Sequence, residues 1–325
     1  MSGSGSESSQ EISGGGGRQQ WGDLPPVLRE GVEALLGSAV VSATSQPGGF
    51  SPGSADRVRT TDGGTAFVKA VSAAVNTDSI GIHRREAEVL AALPAALPVA
   101  RLRGVVDQGD WVALVLEDVP GRHPALPWRA GELRSVLDAF AALTSTPVAG
   151  PLAEVLRPLE ETLPVGWASV DADTPFALPT DLADWCHGRL DDLRALESAA
   201  KQYVHGDRLV HLDARADNLL LRPDGRVAIV DWPWAVRGAP WFDALVLMIN
   251  VRLFDPGHDV AAVIAGHRAF AEMPPAAVPA VLAALSGFFT WAGSQPPPPG
   301  LPTLRAFQQE QAVVTLRWLQ DCWPA

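Results

Sequence analysis

The sequence GDRLVHLDARADNLLLRPDGRVAIVD, from Gly206 to Asp231, contains two short apolar runs on either side of a turn. The runs are 219–221 and 227–230, and the Pro-Asp-Gly turn between them is typical of a β-hairpin. Pairing of the two strands places Asn218 and Asp231, which flank the runs, at the same edge of the hairpin. We therefore expect these two polar side chains to lie close together in the fold.

The loop before the hairpin is polar and holds His211, Asp213 and Arg215. Carboxylate and amide oxygens are the ligands that hard divalent cations such as Mg²⁺ prefer. Asn218 and Asp231 can therefore share such an ion. Asp213, five residues before Asn218, would reach toward whatever the metal holds.

These residues match a known pattern. The spacing His211-x-Asp213-x-x-x-x-Asn218, followed by an Asp after the next strand, resembles the catalytic and metal-binding segment of the protein-kinase-like superfamily. Asp-Trp at 231–232 stands where protein kinases have Asp-Phe-Gly, which points to the small-molecule branch, the aminoglycoside phosphotransferase (APH)-like kinases. An ordinary hairpin with a polar turn is the alternative, and the length of the motif and its agreeing spacings disfavour it.

The resemblance implies a role for each residue of the loop. Asp213 would accept the proton of the acceptor hydroxyl, while Asn218 and Asp231 would hold Mg²⁺ against the phosphates of ATP, the co-substrate. Arg215 lies where protein kinases often carry a lysine and would touch the transferred phosphoryl group. His211 would hold the loop through hydrogen bonds.

The composition and net charge of the chain indicate a globular protein and argue against one that binds nucleic acid. The chain of 325 residues is 47% hydrophobic and 19% charged, which is typical of a globular protein large enough for two lobes. Its net charge of −12 argues against nucleic acid as the main partner and favours a cationic small-molecule acceptor. An acidic surface that only keeps the protein in solution is an equally good explanation.

The cysteines, the N-terminal residues and the apolar segments of the sequence indicate the cellular compartment. Cys186 and Cys322 are far apart in the sequence, which favours a reduced, cytoplasmic protein. Residues 1–20 are rich in Gly and Ser without the features of a signal peptide, so we expect a flexible tail, either native or left over from expression. The most membrane-like segment, 276–292, is interrupted by Pro279 and is expected to be a buried helix. We expect no membrane association and no obligate protein partner.

The first third of the chain predicts an antiparallel sheet with two helices. The first predicted helix starts within 23–26 and runs to Leu36, with Gly37 as its stop, and the second covers 79–93. The predicted strands cover 39–43, 56–60, 65–71, 102–107 and 111–117. The loop at 44–54, which contains Gly49, lies where kinase-like folds cover the nucleotide phosphates. It lacks the Gly-x-Gly-x-x-Gly pattern, so an ordinary hairpin loop is the alternative reading.

Two candidate nucleotide-binding residues, Lys69 and Glu86, come earlier in the sequence than the expected hinge. Only Lys69 and Lys201 are lysines among 25 basic residues, and Lys69 lies on a predicted strand. In the superfamily such a lysine pairs with a helix Glu and bridges the α- and β-phosphates. Glu86 fits the family's Arg-Glu-Ala pattern better than Glu88, although both can instead be solvated helix charges.

The hinge itself is expected near 117–121. There the resemblance implies that backbone groups bind the edge of adenine, with Val119 as the main candidate and Glu117 beside it. Sequence alone indicates only a strand end and a turn.

The rest of the chain predicts helices. They cover 131–144, 152–160, 181–199, 242–254, 257–273, 276–292 and 302–322. Asp243, at the start of one of them, is expected either to brace the catalytic loop or to cap its helix. The irregular segment 145–180 would shape the acceptor pocket, and its acidic residues Asp171 and Asp173 are either solvated or in contact with substrate.

The sequence thus predicts an α+β, bilobal protein-kinase-like fold. The N-lobe, 21–118, would be an antiparallel sheet plus helix, and the mainly helical C-lobe, 119–325, would carry the catalytic loop, the metal site and the acceptor pocket. The predicted function is ATP- and Mg²⁺-dependent phosphoryl transfer to a hydroxyl of a small molecule, with an aminoglycoside-like cation as one acceptor class. The alternatives are a metabolic kinase for an amino alcohol, sugar or amino acid, and a nucleotide-binding pseudokinase.

Overall fold

The computed structural model describes residues 19–46, 49, 51–171 and 176–323. Residues 1–18 of the predicted tail therefore lie outside the described part. The same holds for Pro47, Gly48 and Phe50 of the predicted phosphate loop, and for Asp173.

The N-lobe contains one five-stranded antiparallel sheet and two helices. Their bounds are α1 Pro26–Leu36, β1 Val40–Ser45, β2 Ser54–Thr60, β3 Thr65–Ser72, α2 Thr77–Ala92, β4 Leu102–Asp107 and β5 Trp111–Leu116. The strand order is β1-β2-β3-β5-β4. Helix α1 ends as predicted at Gly37, whose φ of 72° is a left-handed conformation that glycine adopts without strain. All five predicted strands are present, with shifts of one or two residues at their ends.

The register of β2, β3 and β5 determines which side chains face the C-lobe. Arg57 pairs with Phe67 across β2 and β3, and Ala55 pairs with Lys69. Because side chains alternate between the two faces of a strand, these four residues lie on one face of the sheet. Leu116 of β5 pairs with Phe67 and extends this face toward the hinge.

The sheet separates two clusters of buried apolar side chains. The outer cluster lies between the sheet and α1 and includes Leu28, Val32 and Val68. The inner cluster includes Ile80 and Leu90 of α2, among many others, and continues without interruption into the core of the C-lobe. The hydrophobic core of the protein therefore extends across both lobes.

Helix α2 is also tied to the C-lobe by hydrogen bonds. Its N-cap, Asn76, donates from Nδ2 to the Pro299 carbonyl at 3.1 Å. In the middle of the helix, Arg85 Nη2 donates to the Val155 carbonyl at 2.9 Å. The helix that carries Glu86 is thus held by the C-lobe as well as by the sheet.

The C-lobe is mainly helical, with short strand pairs β6–β9 and β7–β8. Its elements are α3 Ala130–Leu143, α4 Pro151–Val155, α5 Leu159–Thr162, α6 Thr180–His187, α7 Leu190–Tyr203, β6 Arg208–Val210, β7 Leu219–Leu221, β8 Val227–Ile229, β9 Val236–Gly238, α8 Phe242–Phe254, α9 Val260–Gly266, α10 Ala277–Gly293 and α11 Leu304–Asp321. The central helix α10 is buried along most of its length, as predicted. No helix in the described residues is both long enough and apolar enough to cross a membrane.

Three predicted helices are interrupted. The helix predicted at 152–160 divides into α4 and α5, because Pro158 disfavours a helical conformation at the residue before it. The helix predicted at 181–199 divides into α6 and α7 at Gly188. The helix predicted at 257–273 is reduced to α9 and a 3₁₀ turn, because the chain is extended at His267 and the His267 side chain caps the turn. The strands β6 and β9, of three residues each, were not predicted, because so short a run has no recognisable periodicity.

Candidate active site

The Lys69 ammonium joins two carboxylates from different parts of the fold. Its Nζ atom lies 2.7 Å and 3.0 Å from the two carboxylate oxygens of Glu86, on α2. It also lies 2.7 Å from Oδ1 of Asp231, which follows β8 in the C-lobe. The predicted choice of Glu86 over Glu88 agrees with this geometry, since the Glu88 side chain is 64% exposed and is paired with Arg85.

These three charges differ in their surroundings. Burial opposes the charge on Lys69, but the attraction of Asp231 and Glu86 outweighs it and raises the Lys69 pKa. Burial also opposes the charge on Asp231, yet its attraction to Lys69 lowers the Asp231 pKa to about 2. For Glu86, which is almost fully enclosed, burial prevails and raises the pKa. Lys69 and Asp231 are therefore both ionised at neutral pH.

The hairpin holds Asn218 beside Asp231 as predicted. Leu219 pairs with Ile229 across β7 and β8, and the Val230 N–H donates to the Asn218 carbonyl at 3.0 Å. Asp231 then leaves the ladder with a φ of 69°. This left-handed conformation is uncommon for a residue other than glycine, and Asp tolerates it better than most residues.

Asn218 has its amide orientation fixed by Asp213. Its Nδ2 group donates to the Asp213 backbone carbonyl at 3.0 Å and to Asp213 Oδ2 at 2.9 Å. The Asn218 Oδ1 oxygen has no hydrogen-bond partner in the described part of the chain, so it is available as a ligand. Together with the Asp231 carboxylate it provides oxygen donors of the kind that Mg²⁺ binds.

The oxygen atoms of Asn218 and Asp231 would suit a magnesium ion that is bound mainly by a substrate. No cluster of three or more His, Cys, Asp or Glu suited to a metal occurs among the described residues. Mg²⁺ in nucleotide sites typically uses one or two protein ligands and completes its shell with phosphate oxygens and water. The donor set of Asn218 and Asp231 is consistent with that mode of binding.

Asp213 is paired with Arg215 in the polar loop before the hairpin. Arg215 Nη1 lies 3.3 Å from Asp213 Oδ1. Burial raises the pKa of Asp213 to about 6, although the Arg215 charge opposes the rise. Asp213 is thus mainly ionised at neutral pH, but it is more basic than an ordinary aspartate.

Arg215 is itself held from two sides. It makes two hydrogen bonds to Asp217, from Nε at 3.1 Å and from Nη2 at 2.9 Å. Its guanidinium carbon also lies 5.5 Å from the centre of the Phe307 ring, on α11. The cation therefore has a defined position beside Asp213.

Asp243 braces the loop that carries His211. The His211 and Leu212 N–H groups donate to the two Asp243 carboxylate oxygens, at 2.7 Å and 2.9 Å. His211 is fully buried, and its Nε2 donates to the Val230 carbonyl at 3.0 Å, next to Asp231. Burial lowers the His211 pKa and keeps the ring neutral. The bracing role expected for Asp243 is therefore present in the structure, and His211 connects the loop to the hairpin.

A cavity of about 330 Å³ lies between the sheet and the hairpin. Seven of the predicted site residues line it: Gly49, Lys69, Glu86, Glu117, Val119, Asn218 and Asp231. The three predicted catalytic residues, Asp213, Arg215 and His211, belong to the adjoining loop and do not line this cavity. Glu117, Asp118 and Val119 of the expected hinge line it, as do Lys69 from β3 and Asp231 from the segment after β8.

Two charged residues that hold other parts of the site, Asp217 and Arg57, were not predicted. Asp217 holds Arg215, and its position directly before Asn218 in the polar loop was an available signal. Arg57 lines the cavity from β2 and donates from Nη2 to the Val119 carbonyl at 3.2 Å. Its position follows only from the sheet register, which the sequence does not specify.

The sequence matches the profile of the phosphotransferase enzyme family, APH, over residues 50–278. The chain belongs to this family. It is accordingly a small-molecule phosphotransferase that uses a hydroxyl group as acceptor. A sequence search of the curated proteins gave no significant match.

Solved structures show the same fold as this phosphotransferase. An aminoglycoside phosphotransferase from Alicyclobacillus acidocaldarius is 18% identical, with coverage of 89% of this chain and 95% of that one and a TM-score of 0.52. A choline kinase from Streptococcus pneumoniae is 14% identical, with coverage of 90% and 98% and a TM-score of 0.52. The AMP-bound spectinomycin phosphotransferase is 10% identical, with coverage of 89% and 96% and a TM-score of 0.54. The predicted bilobal, protein-kinase-like α+β fold is therefore confirmed.

Proposed function

We propose that this phosphotransferase transfers the γ-phosphoryl group of ATP to a hydroxyl of a small, cationic acceptor, with Mg²⁺ as cofactor. The observation that carries the proposal is the Lys69 ammonium held 2.7 Å from both Glu86 and Asp231. This arrangement places one cation and one candidate metal ligand together in the lining of the cavity of about 330 Å³. Spectinomycin phosphotransferase, which shares the fold, has been solved with ADP and spectinomycin, which supports ATP as the co-substrate here.

The hinge offers the groups that an adenine base needs. The Glu117 carbonyl and the Val119 N–H have no hydrogen-bond partner within the described residues, and both residues line the cavity. The first can accept from the adenine amino group and the second can donate to the ring nitrogen beside it. The phosphates would then extend toward Lys69, and Gly49 lines the same cavity.

Asn218 Oδ1 and the Asp231 carboxylate would hold the magnesium ion. When bound, the metal would neutralise charge on the nucleotide phosphates and help to fix their position. Lys69 supplies a second positive charge from the opposite lobe. Because both ligands and Lys69 are held by the fold, little reorganisation would be needed on binding.

Asp213 and Arg215 would act on the acceptor side. A bond forms between the acceptor oxygen and the γ-phosphorus as the bond to the leaving oxygen of ADP breaks. The Asp213 carboxylate takes the hydroxyl proton, and Arg215, 3.3 Å away, offsets the charge of the transferred group. Most of the rate enhancement comes from alignment and charge stabilisation, because this transition state needs little covalent help.

The acceptor class is the least specified part of the proposal. The net charge of −12 favours a cation, such as an aminoglycoside or an amino alcohol. Choline kinase shares this fold, so a metabolic acceptor is the second candidate. The pseudokinase alternative is disfavoured, because Asp213, Asn218 and Asp231 are all present and lie close together.

We also propose that the protein is cytoplasmic, in keeping with its two unpaired cysteines. The boundary between the two lobes is proposed to lie between residues 118 and 119.

The test is a screen for acceptor-dependent ADP release. Aminoglycosides, amino alcohols, sugars and amino acids are offered with ATP, in the presence of Mg²⁺ and in the presence of a chelator. We expect one class to stimulate release only with Mg²⁺, and phosphorus NMR to show a phosphate ester of that acceptor. ATP turnover that is independent of Mg²⁺ and of every acceptor would refute the proposal.

A further inference from the structure

The Arg57 side chain reaches from β2 of the sheet to the hinge residues that line the cavity. Its Nη2 donates to the Val119 carbonyl at 3.2 Å, and its Nε lies 3.2 Å from Oδ1 of Asp118. The Arg57 side chain is 35% exposed and lines the cavity together with both hinge residues. Strand β2 and the hinge are thus joined by one guanidinium.

The contact with Arg57 distinguishes backbone groups of the hinge that are free from one that is already hydrogen-bonded. The Glu117 carbonyl and the Val119 N–H remain free of partners in the part of the chain that the structure describes. The Val119 carbonyl does not, because Arg57 already donates to it. The open hinge therefore presents one acceptor and one donor, and its second acceptor is covered by a cation.

Purine bases differ in what they offer to such a hinge. Adenine presents an amino donor next to a ring-nitrogen acceptor, with only a C–H beyond them. Guanine presents a carbonyl acceptor followed by two donors, a ring N–H and the exocyclic amino group. Adenine thus matches the acceptor and donor that are free, whereas guanine needs an acceptor at the position of the Val119 carbonyl.

A carbonyl oxygen has two lone pairs, so occupancy of one does not by itself exclude a second donor. The guanidinium adds two further obstacles. It fills the space beside the oxygen, and it brings N–H donors and a positive charge toward the donors of guanine. A buried donor without an acceptor loses its hydrogen bond to water without replacement, which is costly.

We propose that Arg57 determines the base specificity of this protein and makes it select adenine over guanine nucleotides. The inference rests on the proposed function, because it assumes that the base lies at the hinge. Arg57 acts by occupying the Val119 carbonyl, and Asp118 positions it. Neither residue takes part in the transfer step.

The experiment compares ATP with GTP in three proteins. Binding of each nucleotide with Mg²⁺ is measured by calorimetry, and kcat/KM is measured with the acceptor found above. The variant Arg57→Leu removes the donor and the charge but keeps an apolar stem. Arg59→Leu is the matched control, since Arg59 is exposed and lies two residues further along the same strand.

We expect the wild type and Arg59→Leu to prefer ATP strongly. In Arg57→Leu the ratio of GTP to ATP kcat/KM should rise by about 10-fold or more, which corresponds to one hydrogen bond of about 1.4 kcal/mol. ATP binding itself should change by only a few-fold. A role limited to holding the sheet would alter both nucleotides alike and leave the ratio unchanged.

Asp118→Asn provides a second test if Arg57→Leu does not fold. It keeps the hinge backbone and weakens the hold on Arg57, so the same ratio should rise by a smaller factor. A wild type that uses GTP as well as ATP, or an unchanged ratio in every folded variant, would overturn the inference and leave the proposed function intact. A wild type that binds neither nucleotide would overturn both.

Discussion

Lys69 and Asp231, 162 residues apart in the sequence, form an ion pair of 2.7 Å that joins the two lobes. Glu86 completes the contact from α2. The pair is partly open, because the Asp231 side chain remains 40% exposed. The Asp231 carboxylate is therefore accessible to a metal ion while it is paired with Lys69.

Lys69→Met should abolish the phosphate contact and spare the base contact. We expect ATP affinity or turnover to fall by about 10²–10³-fold, since a preorganised charge near the reacting phosphates is lost. Adenosine, which has no phosphates, should bind nearly as before. Lys201→Met is the control, because Lys201 is the other lysine of the chain and is exposed on α7. Equal losses for ATP and adenosine would mean that Lys69 supports only the fold.

Asp231→Asn should separate metal binding from folding. The amide keeps the size of the side chain and tolerates the left-handed backbone, so the circular dichroism spectrum should be unchanged. Loss of the negative charge should weaken the metal site and remove phosphoryl transfer. Titration of activity with Mg²⁺ measures the effect, and Asp224→Asn, in the turn of the same hairpin, is the control. Normal activity of Asp231→Asn at limiting Mg²⁺ would refute the assignment.

Asp213→Asn should slow the reaction and leave nucleotide binding within a few-fold of the wild type. Loss of a general base is typically worth about 10²–10⁴-fold in rate. The measurement is kcat with the identified acceptor, beside ATP affinity from calorimetry. Asp207→Asn, whose side chain is 74% exposed, is the control. Turnover close to normal in Asp213→Asn would exclude the proposed role.

Asp243→Ala should lower both stability and rate. It leaves the His211 and Leu212 N–H groups without acceptors in a buried site, which we expect to cost about 2–3 kcal/mol of unfolding free energy. The loop that carries the proposed base Asp213 would lose its brace, so turnover should fall even where the protein is folded. Denaturant unfolding and kcat are measured together. A variant with full stability and reduced turnover would place Asp243 in the chemistry instead.

His83 should make the protein sensitive to mild acid. It is buried on α2, its Nδ1 donates to the Ser79 carbonyl at 2.9 Å, and its Nε2 has no partner among the described residues. Burial lowers its pKa to about 4, against 6.5 for an ordinary histidine. Between these values the unfolded chain binds the proton and the folded protein does not, so stability falls as the pH drops from 6.5 toward 4. The whole effect is about 3 kcal/mol.

His83→Leu tests this because it removes the titrating group. The variant should show a shallower decline of unfolding free energy over the same pH range, measured with urea at several pH values. The same decline in both proteins would assign the acid sensitivity to other groups.

The hairpin and its loop could be predicted because they are contiguous. The strand period and the turn place Asn218 beside Asp231, and both appear there. The Lys69–Glu86 contact could be predicted only through the family resemblance, since no local pattern relates a strand to a helix across 17 residues. The same resemblance is the basis for the hinge expected near 117–121.

Other features depend on packing that the sequence does not display. Arg57 reaches Val119 only because β2 and β3 pair in one particular register.

Gly53, in the loop expected to cover phosphates, is also required by packing that the sequence does not display. A Cβ atom there would lie 1.9 Å from the Ala70 carbonyl oxygen, so the close approach of β3 requires a glycine at this position regardless of any nucleotide. Glycine content alone was therefore an ambiguous signal for phosphate binding.

The continuous inner core has a consequence for how the chain can be divided. Ile80 and Leu90 of α2 are buried in the same cluster as the C-lobe side chains, and Asn76 and Arg85 bond to C-lobe carbonyls. A truncated protein that ends at the hinge would expose this face of α2 to water and lose both bonds. The sheet and helix α2 are thus not expected to form an autonomous folding unit, and the two lobes should melt in a single cooperative transition.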